Sequence, residues 1–576
     1  MKSILNIASL ILIFIFICRF AAGLTYAKYD PLSVPNNRFG IHVADMNDIG
    51  EAAKLVNSSG GDWGYVTFVI AETDRKRDSW QQIFNELRRQ HLIPIVRLAT
   101  RVENSVWTIP GESAAGQWTD FLSSLNWPTE NRYVVIFNEP NHSKEWGGKV
   151  DPEGYARIFT DIAESLKKSS EDFFILPAAL DMSAASDASS MDAVSFLERA
   201  LSERPQIISL LDGWNSHSYP NPGFSGSPGA RGRGTIAGFD WELSHLEQLG
   251  LDRDLPVFIT ETGWEHSEGL VRNPKLLPPV RIGEYIRNAA TGIWRDPRIV
   301  MLSPFLLNYQ DSPFDHFSWR KPGAAGYYEH FDAYQSLEKS VGKPQQRESY
   351  ELEQDFLPDL LVAGSKYVLS SQITNHGQAI VDMEDGYSIG IADPNNDIIL
   401  ASVSMPQIEP GEQRIAVGRI LTGAVIGARM VRVGIVHDNR LTALEEKIVN
   451  VVPPPSAALR IMLGWTEPSR TFSADVNVYD TDKRLIGAYN SIPVTAGQIR
   501  IDRLTDIIPG NTYGIEVRIP GYLLSVKRQI LTRDNTLVEM PRMLPIDFDL
   551  NGSFGAGDIL EAIRQPRDAV RVFTGS

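Results

Sequence analysis

The chain has 576 residues, with 71 acidic against 55 basic side chains and a formal net charge of −16. That length predicts several domains, and an apolar content of 43% is ample for their cores. The acidic balance argues against nucleic acid and anionic lipid as partners, and the single cysteine, Cys18, leaves no disulfide framework.

The N-terminal segment starts Met1-Lys2-Ser3, continues in a mostly apolar run from Ile4 to Cys18, and ends in Arg19 and small residues at Ala21-Ala22-Gly23 and Ala27. This is the layout of a secretory signal over 1–27, cleaved after Gly23 or Ala27, and it predicts a secreted or cell-surface protein. An uncleaved membrane anchor is the alternative, and the one route by which the chain would engage a membrane. Cleavage would leave the mature protein without cysteine, reliant on its cores rather than on disulfides or thiolate metal sites.

From 36 to 345 short apolar strands alternate with amphipathic helices, the pattern of a parallel α/β domain. Strands are expected at Phe39–Val43, Tyr65–Ile70, Ile93–Leu98, Tyr133–Phe137, Phe174–Ala178, Leu211–His217, Val257–Thr260 and Val300–Leu307. Trp80, Ile83, Phe84 and Leu87 recur at helical spacing, as do Trp118, Phe121, Leu122 and Leu125. Asp151-Pro152 caps a further helix with Tyr155, Ile158, Phe159 and Ile162 as its stripe. Eight such units predict a closed (β/α)8 TIM barrel. A doubly wound open sheet is the alternative, but no glycine-rich phosphate loop follows the first strand.

Beyond the α/β region the helical period disappears. Alternating runs such as Val431, Val433 and Ile435 predict a β-sandwich of immunoglobulin-like size over 351–452. Pro453-Pro454-Pro455 reads as a stiff linker, and a second β-sandwich-like module is expected over 456–543. These modules are read as scaffold, with carbohydrate or surface binding as the alternative. The segment 547–565 holds one more pattern. Asp547, Asp549, Asn551 and Asp558 stand at positions 1, 3, 5 and 12 of a loop with Gly552 at position 6. That is calcium-loop spacing, with the Ser553 carbonyl as a further ligand and a helix leaving from Asp558. The loop resembles those of dockerin modules. Dockerins carry two such loops and this chain shows one, which argues against a cohesin partner.

Two strands end in a carboxylate, at Asn138-Glu139-Pro140 and at Glu261-Thr262-Gly263-Trp264. A glutamate is costly where a strand enters an apolar core, so two of them at strands four and seven point to a cleft doing acid–base or nucleophilic work. Together these motifs resemble the retaining glycoside hydrolases of clan A. The resemblance covers about half the chain and implies Glu139 as general acid/base and Glu261 as nucleophile, acting on a carbohydrate substrate with no cofactor in the chemistry. It also implies Asn138 on the sugar 2-hydroxyl, Tyr219 steadying the nucleophile, and His217 in the same subsite. Arg97, at the end of strand three, would keep Glu261 ionised, and His42 would be a sugar contact. Trp264 and Trp319, and also Trp107 and Trp146, are candidates for stacking on sugar rings. His142 is a possible structural histidine of the loop, and Glu145 and Glu265 are rival carboxylates ranked lower because they lie past the strand ends. The expectation is an exported retaining β-glycosidase. Its alternative is a non-catalytic carbohydrate-binding or surface protein on the same scaffold, while the ten scattered histidines argue against a metal-dependent hydrolase.

Overall fold

The structure, a computed structural model, describes residues 29–323, 326–464, 471–567 and 569–570. The expected signal over 1–27 lies outside the described residues, and no described helix is long and apolar enough to cross a membrane. The chain divides into two compact units, one ending at Glu348 and the next starting at Ser349.

The first unit is mixed α/β, its principal strands and helices alternating along the chain. In chain order they are β1 (Gly40–His42), α1 (Ile49–Val56), β2 (Gly64–Ala71), α2 (Arg77–Arg89), β3 (Leu92–Ala99), α3 (Ala114–Ser123), β4 (Arg132–Ile136) and α4 (Pro152–Ser169). The series continues with β5 (Phe173–Pro177), α5 (Ala193–Glu203), β6 (Trp214–His217), α6 (Gly238–Gln248), β7 (Val257–Thr262), α7 (Pro279–Thr291), β8 (Ile299–Pro304) and α8 (Glu329–Gln335). These eight strands pair in parallel, in a five-stranded sheet β1-β2-β3-β4-β5 and a three-stranded sheet β8-β7-β6, and a short antiparallel pair, Val102–Glu103 with Val106–Trp107, follows β3. A parallel bridge between Phe39 and Leu302 joins the two beside β1 and β8. On the other side, the Asp212 N–H donates to the Ile175 carbonyl at 3.0 Å.

Strand residues are buried on both faces, which is why these strands read as continuous apolar runs rather than alternating ones. Val134 and Ile136 of β4 face the helices and join the large outer core. Tyr133 and Val135 point the other way, into a core shared with Ile95, Phe174, Phe258 and Met301. Within it the rings of Tyr133 and Phe258, from different sheets, lie 5.3 Å apart. The helices present the expected faces: Trp80, Phe84 and Leu87 of α2 are buried, as are Trp118, Phe121 and Leu122 of α3. Ile83 and Ile158 sit at the margins of their stripes and are only partly buried. Helix α4 starts as its residues dictate: the Asp151 carboxylate accepts the Gly154 N–H at 2.9 Å, and Pro152 occupies the first turn, where its missing N–H costs nothing.

The second unit is β-rich. Its first module stacks two four-stranded sheets. One is built from Tyr350–Leu352, Lys366–Asn375, Gln413–Thr422 and Ile398–Ser404, the other from Leu360–Val362, Arg440–Val452, Gly427–His437 and Ser388–Ala392. Its second module pairs a short sheet around Ala457–Arg460 with a four-stranded antiparallel one. The latter comprises β9 (Phe472–Tyr479), β10 (Leu485–Val494), β11 (Thr512–Arg518) and β12 (Ser525–Ile530), in the order β10-β9-β11-β12. The modules share packing, since Val362 of the first lies in the core of the second. A short loop and a helix, α9 (Ala556–Arg564), follow.

Candidate active site

The C-terminal ends of β3, β4, β6 and β7 converge on a cleft of about 410 Å³. Arg97 of β3, Asn138 and Glu139 just beyond β4, His217 of β6, Tyr219 just beyond it, and Glu261 of β7 all line it. The turn that carries Glu139 is tight. Phe137 and Glu139 have positive φ angles of 71° and 31°, a conformation non-glycine residues adopt only when their surroundings impose it. The Glu139 N–H donates to the Ala179 carbonyl at 3.1 Å and the His142 N–H to the Glu139 carbonyl at 2.9 Å, which holds the turn in place.

His217 stands between the two carboxylates. Its Nδ1 is 2.8 Å from Glu139 Oε1 and 3.7 Å from Glu261 Oε2. Glu261 is further held by the Tyr219 hydroxyl, which donates to Oε2 at 3.0 Å, and by the Arg97 guanidinium, which donates to Oε1. The same Arg97 nitrogen donates to Asn138 Oδ1 at 2.8 Å, so one arginine orders both the carboxylate and the amide. That fixes which way the Asn138 amide faces, and its Nδ2 lies 3.4 Å from Glu145 Oε2.

The charges within this cluster are unequal. Burial alone would raise the Glu261 carboxyl, but the opposing charges of His217 and Arg97 outweigh it and hold the group at about 2. Burial would likewise lower His217, yet Glu261, and then the hydrogen bond to Glu139, push it up instead. The Tyr219 hydroxyl is driven well above 10 by burial and by the neighbouring carboxylates, so it remains a donor. Because Glu261 lies below the ordinary 4.5, its ionised form contributes stability that is present above pH 4.5 and lost as pH falls toward 2. Melting temperatures between pH 5 and pH 3 should therefore fall more steeply for the wild type than for Glu261→Gln.

Three expected sugar contacts are placed elsewhere. His42 is 3% exposed and lies behind Glu261, with Nδ1 3.9 Å from Oε1 and its ring edge-on to Phe305. Burial, and then the Arg97 charge, lower it to about 3, so it is neutral at pH 7 and packs behind Glu261. Trp264 and Trp319 are each 4% exposed and absent from the cleft wall. Trp264 packs on Trp294 and Tyr285 and donates its indole N–H to the Gly226 carbonyl at 2.9 Å. Trp319 packs on His330, Phe331 and Tyr334. Trp264→Ala should accordingly cost about 3–5 kcal/mol in denaturant unfolding and leave substrate affinity of the folded protein nearly unchanged.

The aromatic side chains of the cleft wall are instead Trp107, Phe137, Trp146, Tyr219, Phe224, Phe305, Phe314 and Phe317. Trp107 stands on a two-residue strand, Val106–Trp107, inserted after β3, while Trp146 is 1% exposed and wedged against Phe137 and Tyr155. Glu145, past the strand end in sequence, is returned to the cleft by the short helical turn Ser143–Glu145, and burial and then Glu139 raise its carboxyl. Glu265 is not part of the cleft wall. His142 lines the cleft and pairs with Asp181, Nε2 to Oδ2 at 2.9 Å. Glu242, which sequence reasoning missed, sits fully buried behind β6. It accepts from the Trp214 indole at 2.7 Å and the Ser216 hydroxyl at 2.9 Å, and burial pushes it up to about 7. Its signal was faint, a lone glutamate on the inner face of a helix.

No protein-family model matches the sequence, and no characterised protein matches it in sequence. Among solved structures, a family 39 glycoside hydrolase from Bacteroides cellulosilyticus WH2 is similar at 13% identity, over 69% of this chain and 82% of that one, with a TM-score of 0.37. Endo-glycoceramidase II from Rhodococcus sp. is similar at 9% identity over 70% of this chain and all of that one, with a TM-score of 0.32. A β-glucuronidase from Bacteroides uniformis is similar at 9% identity over 84% of this chain and 63% of its own, with a TM-score of 0.34. Likenesses this remote carry no argument about chemistry, which rests on the residues of the cleft themselves.

Proposed function

We propose that the first unit is a closed (β/α)8 barrel and that the protein is an exported retaining β-glycosidase. The bridge between Phe39 and Leu302, the bond from Asp212 to Ile175 and the core enclosed by both sheets support the barrel. In that fold the C-terminal ends of the strands are where active sites form.

The observation that carries the functional reading is the pair of carboxylates bridged by His217. The two oxygens that share its Nδ1 can be no farther apart than the sum of the two contacts, 2.8 Å and 3.7 Å. That upper bound is the bottom of the ~6.5–9.5 Å range for inverting pairs, and leaves the ~5–5.5 Å of retaining pairs within reach. The asymmetry between the two groups fits a double displacement. Glu261, ionised and aimed by Arg97 and Tyr219, attacks the anomeric carbon. Glu139, without an arginine partner among the described residues, protonates the departing oxygen and then activates water for the second step. Asn138, its amide set by Arg97, faces the cleft as a donor to a sugar hydroxyl. A panel of β-linked polysaccharides and aryl β-glycosides tests the reading, with hydrolysis by the wild type and none by Glu261→Gln as the expected result.

A structural calcium ion in the C-terminal loop is part of the same proposal. Asp547, Asp549 and Asp558 each bring an oxygen within 4.8 Å of the others. Asp547 Oδ1 is buried without a hydrogen-bond partner among the described residues, and burial together with Asp558 and Asp549 raises its carboxyl. A cation would relieve both features. Asn551 Oδ1 receives the Ser553 N–H at 2.8 Å, so Asn551 would have to turn toward the ion. Calcium at a hundredfold excess over its Kd should stabilise this module by ~2.7 kcal/mol. Calorimetry with calcium and with a chelator checks this, and glycosidase activity should be the same in both buffers.

A further inference from the structure

A second cleft, of about 320 Å³, lies in the C-terminal unit on the sheet formed by β9, β11 and β12. Strand alternation sends Val476, Val478, Ile515 and Val517 into the core, where all are fully buried. The opposite face carries Asn477 and Tyr479 from β9, Gly514 and Glu516 from β11, and Val526 and Arg528 from β12. The register sets Tyr479 opposite Gly514 and Gly514 opposite Arg528, one row across three strands. Asn477, Glu516 and Val526 form the next row.

Gly514 is the floor of this groove, and packing does not require it. A Cβ there would meet Tyr479 Cβ at 3.8 Å and the Tyr479 carbonyl at 4.0 Å, ordinary contacts. A glycine inside a strand weakens it, and where no packing demands one it marks a place where a ligand can approach the backbone. Around this floor stand the Tyr479 ring, the carboxylates of Asp480 and Glu516, and the cationic side chains of Lys483 and Arg528. Glu516 accepts from Asn477 Nδ2 at 3.2 Å and Asp480 from the Arg484 N–H at 2.8 Å. Lys483 and Arg528 make no side-chain hydrogen bond or ion pair among the described residues.

This mixture selects a ligand class. An anion would meet two carboxylates, a cation would meet two cationic side chains, and an apolar ligand would strip water from all four. A neutral polyhydroxylated molecule suits every wall: its hydroxyls donate to the carboxylates and accept from the ammonium and guanidinium groups, and the apolar face of a pyranose lies on tyrosine. We propose that this groove binds neutral stretches of a carbohydrate chain. The groove's own residues carry this proposal, independently of the glycosidase reading of the first unit.

Affinity electrophoresis of the full chain tests it, with a β-glucan, a xylan and a galactomannan as neutral probes and polygalacturonate as the anionic one. A Glu261→Gln background keeps the polymers intact, so the result stands whether or not the first unit is a glycosidase. Gly514→Val fills the floor at a residue without positive φ and suits a strand; Tyr479→Ala removes the platform. We expect retardation by at least one neutral polymer, weakened tenfold or more by each substitution, with melting temperature unchanged in Gly514→Val. No retardation by any neutral polymer, stronger retardation by polygalacturonate, or undiminished retardation of Gly514→Val would overturn the proposal.

Discussion

Glu261→Gln is expected to lose at least three orders of magnitude in turnover, about 4 kcal/mol of transition-state stabilisation. The amide is nearly isosteric, so Arg97 and Tyr219 keep polar partners and the fold should persist. What disappears is the proposed nucleophile: a neutral amide cannot form the ester on which double displacement depends. In Glu261→Ala the vacated space changes the expectation in a specific way. Azide or formate can enter and attack the anomeric carbon from the side the carboxylate occupied, so turnover on an activated glycoside should return with inverted product. Substituting Glu261 with equal loss but no rescue by any small anion would place the nucleophile elsewhere.

Glu139→Ala should fail in a different pattern, and the difference is the informative part. A general acid contributes about 10²–10⁴-fold where the leaving group needs a proton, and little where it does not. Polysaccharides and alkyl glycosides should therefore lose activity over that range. Aryl glycosides with acidic phenols should still glycosylate Glu261 quickly and then stall, since the second step lacks its base. A burst of phenol followed by a slow steady state is the expected trace, readable by stopped-flow absorbance. His217 shares a hydrogen bond with Glu139 and is raised by both carboxylates, so the variant also removes one partner of that imidazole.

Much of the first unit was legible because parallel strands buried on both faces carry uninterrupted apolar runs, as Val134–Ile136 and Val257–Ile259 do. Glu139 and Glu261 stood out for the same reason, as charges at the ends of such runs. Arg97 was legible as a cation near the C-terminal end of a strand of that kind. The aromatic contacts were not. Trp264 and Trp319 follow strand ends in sequence, but sequence distance from a strand end does not say which way the chain turns, and both rings turn inward. Glu145 failed in the opposite sense: six residues beyond Glu139, it is brought back to the cleft by a single helical turn. His42 sits at a strand end as expected, yet Phe305 and Glu261 lie against it, beside the bridge from Phe39 to Leu302. The groove around Gly514 depends on register across three strands, which no single segment encodes.

The covalent intermediate offers the most direct measurement of the central claim. Incubation with 2-deoxy-2-fluoro glycosyl fluorides of gluco, galacto, manno and xylo configuration, followed by mass spectrometry of the digested protein, locates any stable adduct. One sugar per chain is expected, on the peptide containing Glu261, and no adduct in Glu261→Gln. An adduct on another carboxylate, or hydrolysis of a natural substrate with inverted product and no adduct from any of the four reagents, would contradict it.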